Sequence, residues 1–448
     1  MLWSVTIMKI LLLQPPIEDF YTTPIRFYPL GLLYTARVAL EMGVEVEILD
    51  CLTPLKKRQL ALPSDFAYMR PFMQAEPLLF QHYYRFGMAP SDIMARIKKA
   101  APDLIGISAQ FSAYHKSVAD LAEAIKRELG IPIFIGGNHA SVMAAEILKK
   151  TPAIDYVLKG PSESCLPGLL AKFEPDLSSD DFDWKMLTPA HALLTGENYR
   201  IGRRNYISLI ASRGCPQRCD FCSVEAMFGS KIEYRTVVDV LREMRANYRL
   251  KDVRLFNFED DNIAVNKLWF KQLLEAVCAD DTLKGIELTA MNGITYAHLD
   301  ESVLALMKRA GFKRLNLSYV THDKGLRNTY HRPGSDDDHL AGLVAAAKKC
   351  GLMVTVYVII GLPGQTYAEI KTGIDYLLGL KVLVGPSVFY IPPGSALYDR
   401  LELEPAISAN WNLYRSSAFA VETKLLTRAQ LVELFVYARR RNLENKTV

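Results

Sequence analysis

The chain has 448 residues, half of them hydrophobic, and its 53 basic against 49 acidic residues leave a formal charge of +4. That length suits two or three domains with full cores, and the balanced charge, with no long basic stripe interleaved with aromatics, argues against nucleic acid as a partner. Seven cysteines is an odd count, and Cys51, Cys165, Cys278 and Cys350 are scattered, which fits a reducing cytosol rather than a disulfide framework.

The apolar start, Met1 to Leu13, lacks a basic leader and a small-residue cleavage site, so it reads as an extension before Met8 and then a buried strand, Lys9 to Leu13. No run is long enough to span a bilayer as a helix. Strands are expected at Val44–Leu49, Leu104–Ser108, Ile131–Ile135 and Tyr156–Leu158, and helices at Leu30–Met42, Ser91–Ala100, Ser117–Leu129 and Ser141–Lys150. This alternation predicts a Rossmann-like α/β domain over residues 8–172, with ligands beyond the carboxyl ends of its strands.

Two loops there have ligand-like sequences. One is Ser108-Ala109-Gln110-Phe111-Ser112; the other is Gly136-Gly137-Asn138-His139-Ala140-Ser141, whose glycines permit close backbone approach. His139 reads either as a cofactor contact or as a hydrogen-bonded loop residue. Between Leu62 and Met88 an insertion carries Phe66, Tyr68, Phe72, Phe80, Tyr83, Tyr84 and Phe86, aromatics that anchor the loop or wall a cavity. Residues 173–204 read as a linker.

From Tyr206 the alternation resumes, with strands near Ile207–Ala211, Val253–Phe258, Ile286–Ala290, Arg314–Ser318, Met353–Ile360 and Val382–Phe389. After the first strand stands Ser212-Arg213-Gly214-Cys215-Pro216-Gln217-Arg218-Cys219-Asp220-Phe221-Cys222. Three thiolates on one short loop can hold three irons of a [4Fe-4S] cubane and leave the fourth open for chemistry. The alternative, a structural zinc site, needs a fourth nitrogen or sulfur ligand, and no Cys or His stands close by.

This loop resembles that of the radical SAM superfamily, whose members carry an aromatic, here Phe221, before the last cysteine. The resemblance implies a partial (β/α)6 TIM barrel over residues 205–400, with Cys215, Cys219 and Cys222 holding the cluster and S-adenosylmethionine on its open iron. It further implies that Glu259 and Asp260, closing the second strand with Asp261, meet the ammonium of S-adenosylmethionine. Gly361, in Ile360-Gly361-Leu362-Pro363-Gly364, falls beside the adenine, and Tyr390-Ile391-Pro392-Pro393-Gly394-Ser395 at the substrate mouth. Where many relatives end the fourth strand in Gly-x-Glu-Ser, this chain has Ser318-Tyr319-Val320-Thr321, so the ribose falls to the hydroxyls of Ser318 or Thr321 or to a residue elsewhere. Arg332-Pro333 downstream keeps the family pattern.

The first domain resembles the cobalamin-binding domain that precedes many radical SAM domains. The likeness is carried by Pro29-Leu30-Gly31, Val46-Glu47-Ile48-Leu49-Asp50, Gly106-Ile107-Ser108, the Gly136–Ser141 loop and Lys159-Gly160-Pro161. It implies cobalamin contacts at Ser108, Gly136, Gly137, Asn138, His139 and Gly160. Pro161 stands where relatives usually have an acid. The sequence Gln14-Pro15-Pro16-Ile17-Glu18-Asp19 replaces Asp-x-His-x-x-Gly, so the cobalt lacks that histidine ligand.

Together these resemblances imply a cobalamin-dependent radical SAM enzyme of the cytoplasm, a C-methyltransferase on an unactivated carbon of a small molecule. An electron donor such as flavodoxin or ferredoxin would serve it. A radical cyclase, oxidase or rearrangement enzyme, and a non-enzymatic corrin or iron–sulfur carrier, are the other readings. Residues 401–448 read as a helical extension, without cysteines for a further cluster.

Overall fold

A computed structural model describes residues 8–23, 28–53, 56–177, 182–194, 199–332 and 336–445. The residues before Met8, and Pro333, lie outside them. The chain divides into two compact units. One comprises Met1–Leu62, His82–Asn198 and Glu404–Asn412, the other Pro63–Gln81, Tyr199–Leu403 and Leu413–Val448.

The first unit is built on a five-stranded parallel sheet in the order Glu45–Asp50, Lys9–Gln14, Leu104–Ser108, Ile133–Gly136, Tyr156–Val157. Its three inner strands are nearly continuous apolar runs because both faces are covered; Ile10, Leu12, Ile105 and Ile135 are completely buried. The order reverses between Lys9–Gln14 and Leu104–Ser108, which opens a crevice at their carboxyl ends. A small antiparallel sheet, Ile17–Asp19 with Tyr83–Phe86 and Lys57–Leu60, follows the first strand. Helix Pro90–Ala100 begins on proline, whose missing N–H would be an orphan there, and ends on Lys98 and Lys99, which suit the negative end of the dipole. The helix expected from Ser141 to Lys150 is two, Asn138–Val142 and Ala144–Lys150, interrupted at Met143.

The second unit carries six parallel strands, Arg204–Leu209, Val253–Phe258, Glu287–Thr289, Arg314–Val320, Met353–Ile360 and Leu383–Val388, paired as a partial barrel. The third and fourth strands join through isolated bridges, Leu288 to Phe312 and Ile294 to Leu317. The helices between strands begin on side-chain caps: Thr236, Asn266, Asp300, Asp336 and Thr366 each accept a backbone N–H of the first turn. Helix Arg428–Asn445 lies along the last strand, where the Asn442 amide accepts from the Val384 N–H at 3.0 Å and donates to its carbonyl at 2.7 Å. That side chain occupies backbone groups an open sheet edge would otherwise expose.

Two segments group differently from the sequence-based boundaries. The aromatic stretch Pro63–Gln81 belongs to the second unit, because its apolar rings find their partners there. Phe80 packs on Phe435 with ring centroids 5.5 Å apart, the Tyr68 hydroxyl donates to the Ala418 carbonyl at 2.7 Å, and Arg439 donates to the Leu78 carbonyl at 2.6 Å. These aromatics anchor the segment. Glu404–Asn412, expected with the C-terminal extension, belongs to the first unit. Trp411 sets its ring edge-on to His115 and His139, with centroids at 4.7 and 5.0 Å, and Lys150 caps its face at 4.0 Å.

Candidate active site

The first barrel strand ends at Leu209, two residues before the sequence predicts, because the next backbone groups turn to Asp260. Asp260 is 5% exposed. It accepts from the N–H groups of Ala211 and Ser212 and from the Ser212 hydroxyl, at 3.2, 2.5 and 2.6 Å. Ser212–Arg213 then pairs with Glu233–Tyr234, and between them the loop turns on Gly214. Its φ of +89° and a Cβ that would fall 2.1 Å from the Lys231 carbonyl oxygen leave room for glycine alone.

The acidic triplet after the second strand therefore divides its work. Asp260, expected at the ammonium of S-adenosylmethionine, holds the entrance to the cysteine loop through these backbone and hydroxyl donors. Asp261 accepts the Gly214 N–H at 2.9 Å. Glu259 remains partly exposed, its Oε1 fixed by Asn257 at 2.5 Å and Ser208 at 3.2 Å.

The far end of the loop is clamped by Asp220. Its backbone carbonyl accepts the Leu397 N–H at 2.7 Å, and its carboxylate pairs with His331 at 2.6 Å and with Arg400. These partners hold the Asp220 carboxyl below the usual range despite the opposing effect of burial, its largest single influence. Phe221 lies edge-on to Tyr330, with centroids 6.0 Å apart.

Burial raises the Cys219 thiol above its ordinary range and pushes Cys222 up to about 12; the charge of neighbouring cysteines adds to each shift. Such thiols stay protonated at neutral pH until a metal displaces the protons. With Cys215 they supply three soft sulfur donors on one loop, which fit an iron–sulfur cluster. Among the described residues no three His, Cys, Asp or Glu side chains converge on a single ion; a cubane instead spreads its thiolates over three irons.

Arg332 joins the loop to the fourth strand. Its guanidinium donates to Gln217 at 2.5 Å, the Cys219 sulfur at 3.8 Å, Thr295 at 3.2 Å and the Ser318 hydroxyl at 3.1 Å. The fourth strand is irregular here: its register shifts between Ser318 and Val320, and Val320 has a φ of +76°, a sterically costly conformation for a β-branched residue. Past this kink Thr321 is buried, donating to Glu369 at 2.7 Å and accepting from Gln365 at 3.0 Å. The Thr321 hydroxyl, one of those expected at the ribose, is thus engaged by Glu369 and Gln365. Gly361, after the fifth strand, packs against Leu431 of the last helix.

In the first unit, Gln14, Pro15, Ser108, Ala109, Gln110 and Phe111 line a small open recess at the crevice, together with Ile17, Leu52, Tyr114 and Val118. Gly137, with a φ of +120°, passes so close to the Ala109 carbonyl that a Cβ would stand 2.8 Å from its oxygen. It brings Gly136 and Asn138 beside the Ser108 loop. Gly160 is tied to the same turn by its N–H, which donates to Ser141 Oγ at 2.9 Å.

His139, read from the sequence as a cofactor contact or a hydrogen-bonded loop residue, is hydrogen-bonded through both ring nitrogens. It is 2% exposed, with Nδ1 on Ser112 Oγ at 2.8 Å and Nε2 on His115 Nδ1 at 3.1 Å; with both nitrogens engaged, the ring is a buried strut. Burial, then the neighbouring His115, drives its pKa down to about 3, and burial followed by Lys150 takes His115 down to about 4. Asn262, Asp220 and Trp411 were not singled out from the sequence. The first two sit beside or inside recognised motifs; nothing local marks Trp411.

The B12 binding domain family matches residues 80–170 and the Radical SAM superfamily residues 209–377. An uncharacterized methyltransferase of Pyrococcus horikoshii is 24% identical, over 96% of this chain and 91% of its own. The cytidylyl-2-hydroxyethylphosphonate methyltransferase of Streptomyces wedmorensis is 25% identical, over 82% and 76%. Among solved structures, the radical S-adenosylmethionine methyltransferase TsrM from Kitasatospora setae, with cobalamin and a [4Fe-4S] cluster bound, superposes with a TM-score of 0.64 at 17% identity, covering 88% of this chain and 77% of that one. With a B12-binding domain ahead of a radical SAM barrel, and a three-cysteine loop after the barrel's first strand, this chain belongs to the radical SAM enzymes that carry a cobalamin-binding domain.

Proposed function

We propose that this chain methylates an unactivated carbon of a small molecule, using cobalamin and S-adenosylmethionine. The observation that carries the reading is the joining of the B12-binding and radical SAM domains in one chain, and the methyltransferases among its relatives support it. When bound, the cluster with S-adenosylmethionine supplies a 5'-deoxyadenosyl radical, and cobalamin carries the methyl group.

The residues divide the remaining work. Cys215, Cys219 and Cys222 would hold the cluster and leave one iron open. Glu259, partly exposed and fixed by Ser208 and Asn257, would accept the ammonium of S-adenosylmethionine, while Asp260 and Asp261 hold the loop. Ser318 is the remaining hydroxyl for the ribose, Gly361 the adenine-side turn, and Phe221 the aromatic packed beside the cluster. Ser108, Gly136, Gly137, Asn138 and Gly160 would cradle cobalamin, with His139 behind them as support. Gln14 is buried at the recess, in the segment that replaces the Asp-x-His-x-x-Gly of related domains, with Pro16 at the place of the histidine.

A low-potential flavodoxin or ferredoxin suits the electron input, and seven free cysteines suit a reducing cytoplasm. Among the described residues no helix is long and apolar enough to cross a membrane.

Anaerobic reconstitution with iron, sulfide and cobalamin tests the cofactor assignment. A chain that retains both a [4Fe-4S] cluster and a corrin after gel filtration supports it; a chain that retains iron but no corrin removes methylcobalamin, and with it the methylation reading.

A further inference from the structure

Two cysteine sulfurs of the loop have their own side-chain N–H donor: the Asn262 Nδ2 donates to Cys215 Sγ at 3.7 Å and Arg332 Nη1 to Cys219 Sγ at 3.8 Å. Arg332 is explained by its brace from the loop to Thr295 and Ser318. Asn262 has no comparable second task.

Asn262 is 2% exposed, and its Oδ1 is buried without a hydrogen-bond partner. A leucine of similar size would fill the space and avoid desolvating an amide. Burying the amide makes physical sense only if its N–H is rewarded. A neutral thiol is a weak acceptor and rewards it little, whereas an anionic, iron-bound sulfur rewards it more. The sulfur gains negative charge when an electron enters the cluster, so the donor favours the reduced state. Hydrogen bonds to cluster sulfurs are among the factors that set reduction potential.

We propose that Asn262 sets the reduction potential of the cluster by donating its Nδ2–H to the Cys215 sulfur. It is a positioning residue acting through Cys215, and the proposal rests on the cluster reading above. The step concerned transfers one electron from an external low-potential donor, dithionite in the experiment, which is oxidised as the cluster passes from its 2+ to its 1+ state. No bond is made or broken and no proton moves.

The test is an anaerobic redox titration of the reconstituted full chain, following the signal of the reduced cluster by electron paramagnetic resonance and normalising to iron and sulfide content. Asn262→Leu removes the donor and the orphaned acceptor. Asn262→Asp keeps the shape and places a carboxylate against the sulfur. The midpoint is expected to move to more negative potential in the leucine variant and further in the aspartate variant, while the metal-free leucine variant melts no lower than wild type.

Midpoints unmoved at full iron content overturn the proposal and leave the cluster reading intact. Should the leucine variant fail to fold, the near-isosteric aspartate variant decides on the same criterion. Loss of the cluster from both variants also overturns it, since tuning does not require Asn262 for assembly. A wild-type chain that assembles no cluster overturns the underlying reading and this proposal together.

Discussion

Asp260 accepts the Ser212 backbone N–H at 2.5 Å and the Ser212 hydroxyl at 2.6 Å. The carboxylate closing the second barrel strand thus fixes the point at which the first strand becomes the cysteine loop. Its removal leaves buried donors unpaired, so Asp260→Ala should destabilise the second unit by roughly 3 kcal/mol and lower the iron retained on reconstitution. Urea denaturation and iron analysis check both. Burial raises the Asp260 pKa from 3.8 to about 7, against the pull of Ser212 and Ala211. A raised folded-state value makes its stabilisation complete below 3.8 and lost as pH rises through about 7. Asp260→Asn should flatten that part of the stability profile.

The two hydroxyls expected near the ribose have different partners: Thr321 meets Glu369 and Gln365, and Ser318 meets Arg332. Thr321→Val breaks the bonds to Glu369 and Gln365; the expected result is a loss of about 1 kcal/mol of stability with unchanged affinity for S-adenosylmethionine. Calorimetric titration of the reconstituted protein beside a thermal melt measures the two together. Weakened binding without loss of stability would return Thr321 to the ribose.

Glu259→Gln removes a charge where an ammonium is expected. A hydrogen bond to a charged group contributes about 1.5–3 kcal/mol, so the Kd for S-adenosylmethionine should rise on the order of 10- to 100-fold, with cluster content unchanged. Equilibrium binding under anaerobic conditions gives the ratio.

The His115–His139 pair predicts acid sensitivity in the first unit. Both rings are held neutral, with pKa values lowered from 6.5 to about 4 and about 3. Their contribution to stability is therefore complete above 6.5 and lost as pH falls below it. At pH 4 the loss is about 3 kcal/mol for one such ring. His139→Gln should reduce the slope between pH 6.5 and 4, measured by denaturant midpoints with tryptophan fluorescence as the probe.

The sheet and the barrel were legible because their strands are apolar runs of the right length set between helical periods, and because cysteine spacing is local. The first strand's end was misplaced at Ala211, since its terminating interaction comes from Asp260, 48 residues beyond Ser212. Pro63–Gln81 and Glu404–Asn412 were assigned with their sequence neighbours; what groups Phe80 with Phe435, and Trp411 with His139, is packing across hundreds of residues. Motif residues alone do not reveal whether a side chain is spent on backbone donors, as Asp260 is, or left partly exposed, as Glu259 is. Asn262 lay one residue past the recognised acidic triplet, and its orphaned oxygen is visible only in three dimensions.

The most direct measurement supplies the reconstituted, corrin-loaded protein with dithionite and methyl-labelled S-adenosylmethionine, and assays 5'-deoxyadenosine, S-adenosylhomocysteine and label on the corrin in one reaction. All three are expected, with 5'-deoxyadenosine reduced to background in Cys215→Ala while the corrin stays bound. 5'-Deoxyadenosine without S-adenosylhomocysteine or labelled corrin would contradict methyl transfer and favour a radical cyclisation, oxidation or rearrangement; no 5'-deoxyadenosine at all would contradict the radical chemistry itself.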